Sequence, residues 1–142
     1  MGNYIDSAAL IAAGMEAEAR ARTDLDRSGT IDEINLGKFI DQAESEMNQW
    51  IAKAGESVPL SAPLDPIIVP IAIDITRYRW WVGATPPEQV TERYRMAIKT
   101  LRDVGAGLIK LTINGAADAA TECPIEVRAR AEVFTDDALA GF

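Results

Sequence analysis

Five oxygen-bearing side chains recur at alternate positions in the stretch "TDLDRSGTIDE", residues 23–33: Asp24, Asp26, Ser28, Thr30 and Asp32. With Gly29 at the sixth place counted from Asp24, this is the ligand spacing of a calcium-binding loop, which takes oxygens from places 1, 3, 5, 7 and 9. Place 12 of such a loop holds a glutamate that grips the ion with both oxygens. Here it is Asn35, which has one amide oxygen to offer. The strongest ligand is missing, so the loop is read as architectural, built from Asx turns and helix caps. Its five oxygen donors remain only weak metal candidates, and no cofactor is expected. The alternative function this stretch suggests is a calcium-binding regulatory module using the Asp24–Asn35 loop.

A second carboxylate, Asp74, sits inside the apolar run "IIVPIAIDITRYRWWV" at 67–82. A charge there is tolerated when it is paired, and Arg77, three residues on, is the expected structural ion-pair partner. No other acidic cluster stands out, and neither of these has a nucleophile beside it. The chain contains no histidine and a single cysteine, Cys123. That removes Ser-His-Asp and Cys-His catalysis and most zinc chemistry, so the chain is not expected to be an enzyme.

The elements that must carry these residues are mainly helical. Asp6 is a candidate N-cap for a first helix through "SAALIAA", continuing past Gly14 into "MEAEARAR". Thr30 stands three residues before Glu33 in a capping-box arrangement that opens a second helix. That helix is long: Leu36, Phe39, Ile40, Ala43, Met47, Trp50, Ile51 and Ala54 recur at three- and four-residue steps and form one apolar stripe. Asp41, Glu44, Glu46 and Gln49 fall mostly off it. Gly55 and three prolines in "AGESVPLSAPLDP" interrupt the chain, with Asp65 and Pro66 set to start a third helix over about 65–83. Its first half is apolar nearly all round, so it should be the central, most buried helix. Thr85, Pro86 and Glu88 mark the start of a fourth, with Val90, Tyr94, Ala97, Ile98, Leu101 and Val104 on its inner face. "GAG" at 105–107 ends it.

Residues 108–142 change character. "IEVRARAEVF" alternates as a half-buried strand does, with Ile125, Val127 and Val133 on one face, and Phe134, Leu139 and Phe142 follow as apolar anchors. The expected organisation is a small helical bundle over 1–107, of about four helices, and an extended, partly β C-terminal tail over 108–142. A strand-like tail on a helical domain suits docking to a partner, and those six residues are the candidate partner-binding set.

With 142 residues and 48% hydrophobic content, the chain is long enough for one core burying roughly two-thirds of its unfolded surface. Its longest apolar run is far below the roughly 20 residues a membrane helix needs. A lone cysteine and the lack of a basic, apolar leader point to a reducing cytoplasm. The net charge of -8 is concentrated in residues 1–60, where 5 basic and 11 acidic groups leave -6. Such a surface repels phosphates, so tightly held nucleic acid is a poor candidate ligand.

In order and spacing, "TDLDRSGTIDE", "DQAESEMNQWI", the proline-rich loop, "IAIDITRYR", "ERYRMAIKTLRDVGAG" and the ending "VFTDDALAGF" resemble the phage Mu-like head-tail connector family. The resemblance covers essentially the whole chain. It implies a virion protein of the neck, assembled in the host bacterial cytoplasm, whose copies form a ring, a dodecamer by family analogy, on the portal. It further implies a C-terminal segment that reaches into the portal protein, a tail-side connector or tail terminator as the other partner, and DNA that only passes through the channel.

Overall fold

The computed structural model describes residues 2–112, and these are helical, with five α-helices and no strand among them. The expectation of a mainly helical bundle holds. One helix more is present than expected because the first divides. Asp6 does cap α1 (Ser7–Ala12), accepting the Ala9 N–H at 2.8 Å. At Gly14 the backbone turns to φ +78°, a conformation glycine adopts at little cost, and the chain restarts as α2 (Glu16–Thr23).

The long helix α3 (Glu33–Lys53) is capped by Asp32 rather than Thr30. The Asp32 carboxylate accepts the N–H groups of Ile34 at 2.9 Å and Asn35 at 3.0 Å. A carboxylate in that place satisfies two orphan donors and sets a full negative charge against the positive end of the helix dipole, a charge that a hydroxyl lacks. Leu36, Ile40, Ala43, Met47 and Ile51 of the predicted stripe are buried, while Phe39, Trp50 and Ala54 lie at its edge, half-buried.

Helix α4 (Ile68–Arg79) is shorter than the predicted 65–83. Asp65 forms a turn with the Ile67 N–H at 3.0 Å, one step ahead of the helix proper. Pro70 falls in the first turn of α4, where its missing N–H would have found no intrahelical acceptor, so the apolar run is not broken there. Ile68, Ile71, Ala72, Ile75 and Thr76 are buried, as a central helix requires. Helix α5 (Glu88–Gly105) starts from Pro87 with no side-chain cap, so Thr85 does not cap it as its spacing to Glu88 suggests.

Each of α3, α4 and α5 packs on the other two, and α1 and α2 lie on each other and on α3. The close approach of α5 to α3 depends on Gly105: a Cβ there would meet the Trp50 carbonyl oxygen at 3.2 Å. After α5, Leu108 returns its N–H to the Asp103 carbonyl at 2.8 Å, closing the helix end. The chain then passes back to the start of α4, where Asp65 accepts the Thr112 N–H at 2.7 Å.

Candidate functional site

Three carboxylates organise the bundle. Glu44, on α3, is 3% exposed and faces the N-terminal segment. It accepts the backbone N–H of Asn3 at 2.7 Å and of Tyr4 at 2.6 Å, with Asn3 Nδ2 at 3.1 Å. Tyr4, drawn in, donates its hydroxyl to Asn48 and accepts the Leu60 N–H at 3.1 Å. One glutamate thus ties the chain start, α3 and the proline-rich loop together.

Glu18, on α2, receives four donor groups from α4 and its end. Arg77 gives Nε at 3.1 Å and a terminal nitrogen at 2.7 Å, and the Trp80 and Trp81 indoles donate at 3.1 and 3.0 Å. Burial works against the Glu18 charge, but the Arg77 and indole hydrogen bonds outweigh it and hold the carboxyl below its ordinary range. Arg22, one turn along α2, lies 3.4 Å above the Trp81 ring. The predicted Asp74–Arg77 pair therefore does not form. Arg77 turns to Glu18, and Asp74 pairs with Arg93 of α5 at 3.4 Å. A longer-range partner with two well-aimed oxygens displaces the local one.

Glu46, on α3, accepts from Arg79 at 2.6 Å and from the Tyr94 hydroxyl at 2.9 Å, while Tyr94 stacks on Tyr78 with ring centroids 4.0 Å apart. Burial and then the Glu46 carboxylate push the Tyr94 hydroxyl up in pKa. Beside this pair lies an open polar groove of about 440 Å³, lined by Asp41, Gln42, Ser45, Glu46, Gln49 and Arg79.

The Asp24–Asp32 loop is folded around its own carboxylates. Asp24 accepts the N–H of Ser28 at 2.8 Å and of Gly29 at 2.7 Å, and Ser28 Oγ lies 2.9 Å from Thr30 Oγ1. Those backbone donors, Gly29 first, keep the Asp24 carboxyl below its ordinary range. Asp32 is occupied by its helix, and Asp26 is exposed. Among the described residues no three His, Cys, Asp or Glu side chains are grouped to hold a metal ion. This geometry does not support the calcium-module reading.

The described surface also carries exposed apolar side chains. Leu25, Ile34, Val82, Met96 and Leu108 are each at least 69% exposed. Ile125, Val127, Val133, Phe134, Leu139 and Phe142, the predicted partner-binding residues, lie outside the described residues, as does most of the predicted 108–142 tail.

The family model for Bacteriophage Mu, Gp36 matches residues 4–128. The chain belongs to that family. It is accordingly a phage structural or morphogenesis protein. No curated protein matches the chain. The match runs through all five helices and past Thr112, so it spans the bundle and extends into the C-terminal segment. No helix among the described residues is long and apolar enough to cross a membrane.

Sequence reasoning missed Glu18, Glu44 and the second use of Asp65. For Glu44 a signal existed: positions 40, 44, 47 and 51 follow the helical repeat, so Glu44 borders the buried stripe. For Glu18 none did, because its partners lie 59 to 63 residues away.

Proposed function

We propose that the chain is a head-tail connector: a non-catalytic adaptor that assembles as a ring on the portal and joins the DNA-filled capsid to the tail. The observation that carries this is the family match over 4–128, on a helical bundle that Glu18 and Glu44 tie to its N-terminal segments. The portal is the partner of the C-terminal segment, with Ile125, Val127, Val133, Phe134, Leu139 and Phe142 as its apolar anchors. A tail-side connector or tail terminator takes the opposite face of the ring, in the neck of the virion.

The manner in which the chain leaves the bundle supports this reading. Leu111 packs against the core and Thr112 is tied to Asp65, so the last 30 residues start from a defined place beside α4. A fixed departure point reduces the ordering cost of docking a segment into a neighbour. The acidic surplus suits a channel lining: a negative lumen repels the duplex and lets it slide. Co-sedimentation with purified portal rings tests the reading, using wild type and a full-length variant carrying Val133→Asp and Phe134→Asp. Wild type should travel with the portal and the variant should not; equal binding by both would remove the tail from the interface.

A further inference from the structure

The start of the chain and its departure from the bundle are joined through the proline-rich loop. Tyr4 is 5% exposed, packed in the core, and its backbone N–H is held by Glu44. Its hydroxyl donates to Asn48 and accepts the Leu60 N–H at 3.1 Å. Between Glu56 and Asp65 no other backbone N–H makes a hydrogen bond among the described residues. Ser57, Val58, Pro59, Ser61, Ala62 and Pro63 are exposed, so the loop is held by that one bond and by the half-buried Leu60 and Leu64 against the core. Such a segment opens locally at low cost when its tether is lost.

Asp65 follows Leu60 by five positions and is 8% exposed. Its carboxylate accepts the Ile67 N–H at 3.0 Å and the Thr112 N–H at 2.7 Å. The segment that carries Leu60 to its tyrosine therefore also carries the acceptor that fixes the exit. Pro59, Pro63 and Pro66 each fix φ, and a chain with fewer free torsions passes a displacement on where a glycine-rich one absorbs it. The exit has room to move: a cavity of about 260 Å³ lies beside it, lined by Ala54, Glu56, Val104, Gly107, Ile109 and Leu111.

We infer that the N-terminal strap, residues 3–5, is the catch for the C-terminal exit. While Tyr4 holds Leu60, Asp65 stays where it can bind Thr112, and losing either bond weakens the other. Coupling of this kind is reciprocal. A partner that takes up the C-terminal segment and draws Thr112 off Asp65 also loosens Leu60 and the chain start. This goes beyond the connector reading, because it concerns how the docking segment is held and stands whichever partner takes that segment.

The test is amide hydrogen exchange, read residue by residue by nuclear magnetic resonance on the full-length protein, for wild type, Tyr4→Phe and Asp65→Asn. Tyr4→Phe keeps the ring in the core and removes only the hydroxyl. It should speed exchange at Leu60 and also, roughly fivefold, at Thr112, the size expected for one hydrogen bond, while Met47 in α3 and Ile75 in α4 exchange as in wild type. Asp65→Asn should in turn speed exchange at Leu60, a readout that does not depend on how Tyr4→Phe folds. Thr112 unchanged in Tyr4→Phe, or Leu60 unchanged in Asp65→Asn, would overturn the inference. Equal acceleration at Met47 and Ile75 would overturn it too, since the bundle would then be opening as a whole. Combining the two substitutions adds a further check: with Asp65 already replaced, Tyr4→Phe should change Thr112 no more, and a full second increment would show two independent tethers and overturn the catch.

Discussion

Glu18 of α2 and Arg77 of α4, 59 residues apart in sequence, meet at 2.7 Å, and the same carboxylate takes both the Trp80 and Trp81 indoles. Arg77 and Glu18 are only 20% and 24% exposed, so this is a half-buried pair with directed hydrogen bonds rather than a solvated surface contact. It fastens the N-terminal hairpin of α1 and α2 to the three-helix core.

Replacing Glu18 with Gln should destabilise the protein by about 2 kcal/mol, because the partly buried guanidinium loses its charged acceptor. The difference should depend on pH in one direction. The folded carboxyl lies below its ordinary value of 4.5, so its contribution is full above pH 4.5 and is lost as pH falls through the lowered value. Urea unfolding of wild type and variant at pH 7 and near pH 3 should show the gap closing in acid. A gap unchanged across that range would mean Glu18 contributes through packing alone.

Glu44→Ala should cost more than an average helix-surface substitution, about 2 kcal/mol, since it strands the N–H groups of Asn3 and Tyr4. Hydrogen exchange at those two amides should accelerate while amides in α4 stay protected. Uniform acceleration would show that the N-terminal strap and the core open as one unit.

Thr76→Val should be neutral or raise stability by up to about 1 kcal/mol. The Thr76 hydroxyl is fully buried and has no hydrogen-bond partner among the described residues, so a methyl of similar size removes a desolvated polar group. A lower melting temperature for the variant would count against that description of the α4 interior.

The fold was legible where burial follows a period. The α3 and α5 stripes and the apolar start of α4 were readable because amphipathic helices announce their inner faces. Helix ends were less so: Thr30 and Asp32 both match cap chemistry, and only the path of the loop decides that the carboxylate wins. The pairing of Asp74 with Arg93, and of Arg77 with Glu18, was not readable at all, because local spacing favours Asp74–Arg77 while the partners come from other helices. Of the candidate site, the exposed acidic loop and its lack of a closing glutamate were evident from sequence. The exposed Leu25, Ile34 and Met96 were not, since an aliphatic residue beside a stripe reads as core.

Asp65→Asn should leave the bundle folded but loosen the chain beyond it. The Asp65 carboxyl is held below its ordinary range against burial by the Ile67 and Thr112 N–H groups. With an amide in its place, exchange at Thr112 should speed up and portal affinity should fall, while the far-ultraviolet circular dichroism stays that of wild type. Unchanged exchange at Thr112 would mean that Leu111 packing alone anchors the exit.

The connector assignment is tested most directly by electron microscopy of lysates from the phage or prophage with this gene deleted. The expected field shows complete tails lying beside unjoined capsids, and infectivity returns when the wild-type gene is supplied in trans. Joined, infectious particles in the absence of the gene would contradict it.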